Sequence, residues 1–365
     1  MKQWKETAEI FGRVRRLAEV GQRAALATVI RIRGSAYRRA GAKLLVAESG
    51  ETAGGVSGGC LEADVREAGL AVLRDGVPRH LHYESNGDDD NTVWGLGLGC
   101  SGSVDIFVQP AALASGGEVV ARVLEMLEGD AAFSVSTIVR GRGETREGGA
   151  VVCGSGGLLA SSTGDTALDR ELARHAARYL AARESARHEV AGLEVFTEVL
   201  LPPPHLILFG AGDDAMPLCA YASDAGFRVC VVDHREASLS LERFPGASRL
   251  IHRRSEHGLE ELPISTRTYA VVMTHSLSHD REWARRLLST EVPYIGLLGP
   301  RARTAEILQK IGAEGSSRVY GPVGLDVGAE GPEQIAVSIL AELLAVHASR
   351  EPSHLREKEG AIHAT

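Results

Sequence analysis

The chain has 365 residues, enough for two domains that each bury a core, with a formal net charge of -8, 44% hydrophobic and 24% charged residues. That balance argues against nucleic acid as the main partner, and no apolar run approaches the roughly 20 residues needed to cross a bilayer. The start, Met1-Lys2-Gln3-Trp4-Lys5-Glu6, lacks the apolar stretch of a signal peptide, so the expectation is a cytoplasmic protein with no membrane partner. Five cysteines (Cys60, Cys100, Cys153, Cys219, Cys230) without CxxC spacing point to free thiols rather than disulfides or structural zinc.

Apolar residues at Ile10, Val14, Leu17 and Val20 predict an amphipathic helix, followed by strands over 24–32 and 43–47. Arg31, Arg33, Arg38, Arg39 and Lys43 fall within this strand–loop–strand unit, which holds no acidic residue. Such a stripe focuses an anionic ligand or, alternatively, forms a solvated or oligomer-contact face. Next comes Gly54-Gly55-Val56-Ser57-Gly58-Gly59-Cys60-Leu61-Glu62, a glycine-rich loop meeting the helical pattern Leu61, Val65, Ala68, Val72. The free N–H groups and positive dipole end of that helix bind anions and favour thiolate over thiol, making Cys60 a candidate reactive sulfur. A tight turn with a small buried thiol is the alternative.

Strands are predicted over 80–84 and 104–109, flanking a second glycine-rich segment with a cysteine, Trp94-Gly95-Leu96-Gly97-Leu98-Gly99-Cys100-Ser101-Gly102. Asp88-Asp89-Asp90 reads as a turn without calcium-loop spacing. Helices over 118–126 and 169–182 and strands over 134–139 and 150–152 carry no evident chemistry, and Cys153 reads as inert. Pro202-Pro203-Pro204 then marks a stiff connector. The expected organisation is a mixed α+β domain over 1–201, the linker 202–204, an α/β domain over 205–348 and a flexible tail over 349–365.

From His205 onward short apolar strands (206–209, 229–232, 249–252, 269–273, 294–298, 318–319) alternate with helical patterns, ending in a helix opened by Pro332. This alternation predicts a doubly wound parallel sheet. After its first strand, Gly210-Ala211-Gly212-Asp213-Asp214-Ala215 satisfies the G-x-G-x-x-G/A fingerprint of a Rossmann domain, with Asp233 ending the second strand. Gly210, Gly212, Asp213, Asp233 and Arg301 are the candidate NAD(P)-binding residues. Against nucleotide binding, Asp213 and Asp214 place carboxylates where a pyrophosphate would lie, so a scaffold with a weak or lost site is the alternative. His275 is a candidate acid–base group on the crevice floor, while His275, His279 and Asp280 read as a polar loop and helix cap rather than a metal site.

The motifs Gly34-Ser35, Gly41-Ala42-Lys43, Ser57-Gly58-Gly59-Cys60-Leu61-Glu62, Trp94 to Cys100, Phe209-Gly210-Ala211-Gly212, Val232-Asp233-His234-Arg235, Val272-Met273-Thr274-His275, Ile295 to Arg301 and Pro322 to Ala329, in that order, resemble the XdhC/CoxI family. The resemblance spans roughly Gly34 to Leu344, although residues 111–201 carry no motif to which it extends. Asp213 departs from the histidine common in relatives. The resemblance implies an XdhC/CoxI-type domain before a Rossmann domain. It also implies an accessory role for molybdenum hydroxylases such as xanthine dehydrogenase and carbon monoxide dehydrogenase: binding molybdenum cofactor, supporting its sulfuration and delivering it to the apoenzyme. On that reading Ser57, Gly58, Gly59, Cys60 and Glu62 bind the molybdenum cofactor, with Cys60 and Cys100 near the molybdenum, and Arg33, Arg38 and Lys43 meet the phosphate end. A cysteine desulfurase and a second copy of the chain, as a homodimer, are further expected partners. The competing expectations are an NAD(P)-dependent oxidoreductase acting on a pterin or another small molecule, and a regulatory scaffold whose nucleotide site senses redox state.

Overall fold

Residues 24–30, Ala-Ala-Leu-Ala-Thr-Val-Ile, have no charge on either face of an extended chain, as suits a strand covered on both sides. In the computed structural model, which describes residues 2–34, 38–85, 102–111, 113–141 and 147–358, they form the buried part of a central strand. The chain divides into two compact units, Lys2–Pro202 and Pro203–Lys358.

The first unit runs α1 (Lys2–Glu19), β1 (Ala24–Gly34), β2 (Lys43–Ala47), β3 (Thr52–Gly54), α2 (Glu62–Asp75), β4 (Arg79–Ser85) and β5 (Gly102–Pro110), then α3 (Leu113–Glu128), β6 (Phe133–Arg140), β7 (Ala150–Gly154), β8 (Gly157–Ser161), α4 (Thr166–Ala182), β9 (Ala186–Val190) and β10 (Leu193–Leu200). Its described strands form two antiparallel sheets, ordered β3-β2-β1-β5-β4 and β8-β7-β6-β10-β9. Counted within each half, the two orders are the same, and each half has a helix before its first strand and another between its third and fourth. The domain is therefore a duplicated motif.

Register extends the match to single residues. Thr28 lies opposite Phe107, as Thr137 lies opposite Phe196; Val29 then faces Ile106, as Ile138 faces Val195. Both pairings skip one residue at this point, after which Arg31 faces Asp105 and Arg140 faces Glu194. Thr28-Val29-Ile30-Arg31 thus recurs as Thr137-Ile138-Val139-Arg140, and Asp105-Ile106-Phe107 as Glu194-Val195-Phe196. The skipped residues, Ile30 and Val139, join Phe107 and Phe196 in one buried cluster, so the copies pack through equivalent side chains. Bulges of this kind bend a strand and re-aim the residues beside them.

Alternation along the strands sets the layers. Ala25, Ala27 and Val29 of β1 face α2, packing on Val65 and Val72, whereas Leu26 joins Trp4, Ile10, Phe133 and Val152 on the opposite side. In the second copy Ile138, Val151 and Val195 meet Leu172 and Ala176 of α4.

The second unit contains β11 (His205–Phe209), α5 (Ala215–Ala225), β12 (Arg228–Asp233), β13 (Ala247–His252), β14 (Thr268–Val272), α6 (Leu277–Leu288), β15 (Tyr294–Leu297), α7 (Arg301–Ile311), β16 (Val319–Tyr320) and α8 (Gly331–His347). Its described strands form one parallel sheet in the order β13-β12-β11-β14-β15-β16, the doubly wound arrangement expected. α5 and α8 pack on one face and α6 and α7 on the other. The order reverses between β11 and β14, so the crevice outside their carboxyl ends is where such sheets take ligands. Among the described residues, no helix is long and apolar enough to cross a membrane.

Candidate functional site

The Cys60 loop is built around one carboxylate. β3 ends at Gly54, whose φ of 85° and close approach to the Lys43 carbonyl leave no room for a Cβ. The chain then wraps around Glu62, whose Oε1 accepts the N–H groups of Val56 (3.2 Å) and Ser57 (2.9 Å) while Oε2 accepts the Ser57 hydroxyl. Ser57 Oγ in turn accepts the N–H groups of Gly59 (3.0 Å) and Leu61 (3.1 Å) and lies 3.5 Å from Cys60 Sγ. Partial burial raises the Glu62 pKa, but the hydrogen bonds from Ser57 and Val56 outweigh it and hold the group below its ordinary value. Buried Leu61 anchors the loop, and the first turn of α2 has no side-chain cap. Cys60 itself is exposed. Ser57, Gly58, Gly59, Cys60 and Glu62 therefore form one site, whereas Cys100 and residues 86–101 lie outside the described residues.

The basic stripe does not gather as expected. Arg33 is exposed at the end of β1. Arg38 makes a two-pronged pair with Glu6, at 3.2 and 2.6 Å. Lys43 is only 4% exposed, its Nζ lying 2.5 and 2.6 Å from the two carboxylate oxygens of Glu198 and 2.9 Å from the Gly41 carbonyl. Gln3 completes the arrangement by donating to Glu198 Oε1 at 2.8 Å, and the pair lines a largely apolar cavity of about 100 Å³. The expectation that Arg38 and Lys43 offer free cations to a phosphate is corrected accordingly. An ammonium taken from water at such a site requires a carboxylate, and Glu198 supplies it.

At the crevice of the second unit, Gly210 (φ 128°) passes so close to the Met273 carbonyl that a side chain is excluded. A Cβ at Gly212 would meet Asp214 Oδ1 at 2.6 Å and His275 Nε2 at 3.4 Å, so a carboxylate and an imidazole stand beside this glycine, where the fingerprint expects a pyrophosphate. His275, in the left-handed region at φ 59°, places Nε2 3.0 Å from Asp214 Oδ2, while Asp214 Oδ1 is buried without a hydrogen-bond partner. Asp213 pairs with Arg243 at 2.8 Å. Asp233 is almost fully enclosed, accepting from the Ala211 N–H (2.7 Å), the Arg235 N–H (2.8 Å) and the Arg235 guanidinium (2.9 and 3.0 Å). Burial opposes its charge, but these bonds prevail and bring its pKa to about 2. Its oxygens are thus committed before any ribose arrives, and the residues present do not fit NAD(P) as the fingerprint predicts. Arg301 opens α7 and is exposed.

The His275–Asp280 loop behaves as a cap. Asp280 is buried, accepts from Thr274 N–H (3.1 Å) and Oγ1 (2.5 Å), and pairs with Arg303 at 2.6 Å; His279 Nδ1 lies 2.8 Å from Ser255 Oγ. No metal-binding group of three His, Cys, Asp or Glu occurs among the described residues.

Two family models match the chain, the XdhC and CoxI family over residues 17–84 and the XdhC Rossmann domain over residues 206–343. A Bacillus subtilis (strain 168) protein, named as a probable subunit of xanthine dehydrogenase, is 34% identical over 328 residues, 90% of this chain and 94% of its own. The molybdenum cofactor insertion chaperone PaoD of Escherichia coli (strain K12) is 24% identical over 337 residues, 91% of this chain and 86% of its own. Among solved structures, a xanthine dehydrogenase from Bacillus halodurans is 29% identical, superposes with a TM-score of 0.72, and covers 96% of this chain and 98% of that one. The Cys60 loop falls inside the first family match and the Asp214–His275 pair inside the second. The chain belongs to the XdhC and CoxI family.

Proposed function

We propose that this protein binds molybdenum cofactor as cargo, supports its sulfuration and delivers it to a molybdenum hydroxylase apoenzyme of the xanthine dehydrogenase or carbon monoxide dehydrogenase type. Family membership supports the reading, as does the relative named a molybdenum cofactor insertion chaperone. The observation that carries it is the exposed Cys60 thiol, held on a carboxylate-braced glycine loop at the uncapped start of α2. A soft sulfur suits a soft, sulfur-ligated metal. Ser57, Gly58, Gly59 and Glu62 position the thiol and clear space before it. Cys100 is a second thiol for the same role, and Arg33 is an exposed cation of the stripe for the phosphate end.

A cysteine desulfurase supplies the sulfur on this reading, and the protein works in the cytoplasm as a homodimeric carrier rather than a turnover enzyme. NAD(P) has no step in it, since the Asp214 carboxylate stands beside Gly212 and Arg235 already holds Asp233. The test is to load the purified chain with molybdopterin and molybdate and to count metal and pterin per chain. Cys60→Ala is expected to weaken loading about tenfold or more, a loss of roughly 1.4 kcal/mol or above. Unchanged stoichiometry and affinity in that variant would remove the thiol from the mechanism.

A further inference from the structure

The duplicated motif leaves one cation without its counterpart. In the second copy Arg140 is met by its register partner, its Nε lying 3.5 Å from Glu194. In the first copy the equivalent carboxylate, Asp105, is engaged elsewhere. His82 Nδ1 approaches it to 2.6 Å, and Arg187 reaches over from β9 to hold it at 3.2 Å while also holding Glu194 at 2.6 Å. The Arg31 side chain is left half-buried with no hydrogen bond or ion pair to another described residue. An arginine in this half-buried position keeps its fork available to a ligand, because no carboxylate among the described residues has taken it.

Arg31 also stands where two concavities adjoin, beside the bulges of both copies. One, of about 290 Å³, is lined by Arg31, His80, His82, Asp105, Arg140 and Arg187; the other shares Arg31 and Arg187 with it. The lining is doubled: Arg31 and Arg140 are equivalent, as are His80 and Arg187, which sit opposite Phe107 and Phe196. Three arginines and two histidines thus line a cleft together with Asp105, and His80 Nε2 lies 3.5 Å from Glu147. Planar guanidinium forks match oxyanions through paired N–H···O bonds. A carboxylate offers two acceptor oxygens, which one fork satisfies, whereas a phosphoryl group offers three and can engage Arg31 and Arg140 together.

We propose that this cleft is an oxyanion site that takes a phosphate monoester, with Arg31 as its anchoring residue and Arg140 as its second fork. The site does not depend on Cys60 and goes beyond the cargo reading. Its ligand is either the phosphate end of a pterin cargo or a separate small phosphate ester.

The test is calorimetric titration of the full chain at low salt with phenyl phosphate and with inorganic phosphate. Saturable binding of one phenyl phosphate per chain is expected, weakened about tenfold or more in Arg31→Gln and several-fold in Arg140→Gln, whose exposed position keeps the fold intact. Arg170→Gln, on the exposed side of α4, is expected to bind as the parent does. Absence of saturable binding, equal affinity in Arg31→Gln and Arg140→Gln, or an equal loss in Arg170→Gln would overturn the proposal. Molybdopterin that displaces phenyl phosphate identifies the cargo's own phosphate as the occupant, and simultaneous binding identifies a separate ester. Failure of molybdopterin to bind at all would sink the cargo reading and leave the phenyl phosphate result standing.

Discussion

The two copies of the duplicated motif share strand order, register and bulge, yet they finish the junction between third strand and following helix in opposite ways. In the second copy, Asp165 Oδ1 accepts the N–H groups of Ala167 (2.8 Å) and Leu168 (3.1 Å), and Asp169 accepts from Ser161 (2.6 Å) and Thr163 (2.5 Å). The start of α4 is closed by a side chain. In the first copy the carboxylate of Glu62 turns back to brace the loop, which leaves the start of α2 uncapped and Cys60 exposed. The thiols diverge in the same sense. Cys153, on a strand of the second copy, is buried, and burial with the nearby Asp169 pushes it up to about 11. One backbone plan thus closes its helix start with a side chain in one copy and leaves a thiol exposed beside it in the other.

The strongest way to break this comparison is to cut the link between copies. Lys43 belongs to the first and Glu198 to the second, and their pair is nearly solvent-free. Glu198→Ala strands a buried ammonium and is expected to cost about 3–5 kcal/mol in denaturant unfolding, whereas adding Lys43→Met should recover most of it. A cost below about 1 kcal/mol for the single change would mean that water or another group reaches Lys43. Asp165→Ala tests the capped junction and is expected to cost about 1 kcal/mol, read as a shift in the unfolding midpoint. The first copy has no equivalent residue to remove, since Leu61 occupies the N-cap position without a side-chain hydrogen bond.

What the sequence discloses and conceals follows from how local each signal is. The parallel sheet is legible because its strands are short apolar runs separated by helical patterns, and the Cys60 loop because glycines and a helix start lie side by side. The duplication is not read there. Its copies share little beyond Thr-x-x-Arg and Asp/Glu-x-Phe, and they have no fixed period, because β4 and β5 are separated by residues 86–101 whereas Val190 and Leu193 nearly adjoin. A search for those two short patterns at unequal spacing is the signal that would have exposed it, and with it Arg140, Arg187 and Glu194. The basic stripe misleads for a related reason. Counting charge along the chain cannot show that Lys43 is met by a carboxylate 155 residues away. Asp233 sits where the fingerprint expects an acid, but only the fold reveals that Arg235 has already claimed it.

The smallest expected effect sharpens the comparison most, because it concerns the one carboxylate that separates an open junction from a closed one. The pKa of Glu62 is depressed in the folded chain, so its stabilising contribution is complete above the ordinary carboxylate range and disappears as pH falls through the folded value. Glu62→Gln cannot accept the N–H groups of Val56 and Ser57 and the Ser57 hydroxyl as a charged group does. Solvent screening of this partly exposed group keeps the global difference under about 1 kcal/mol at neutral pH, so amide exchange is the sharper readout. The Val56, Ser57, Gly59 and Leu61 amides should be better protected in the parent than in the variant at neutral pH. Corrected for intrinsic rates, the two proteins should converge in acid, while Ala167 and Leu168 under the Asp165 cap show no difference at any pH. Equal protection of the Cys60 loop in parent and variant at neutral pH would assign its shape to Ser57 and the glycines alone, and the exposed thiol would then owe nothing to the carboxylate beneath it.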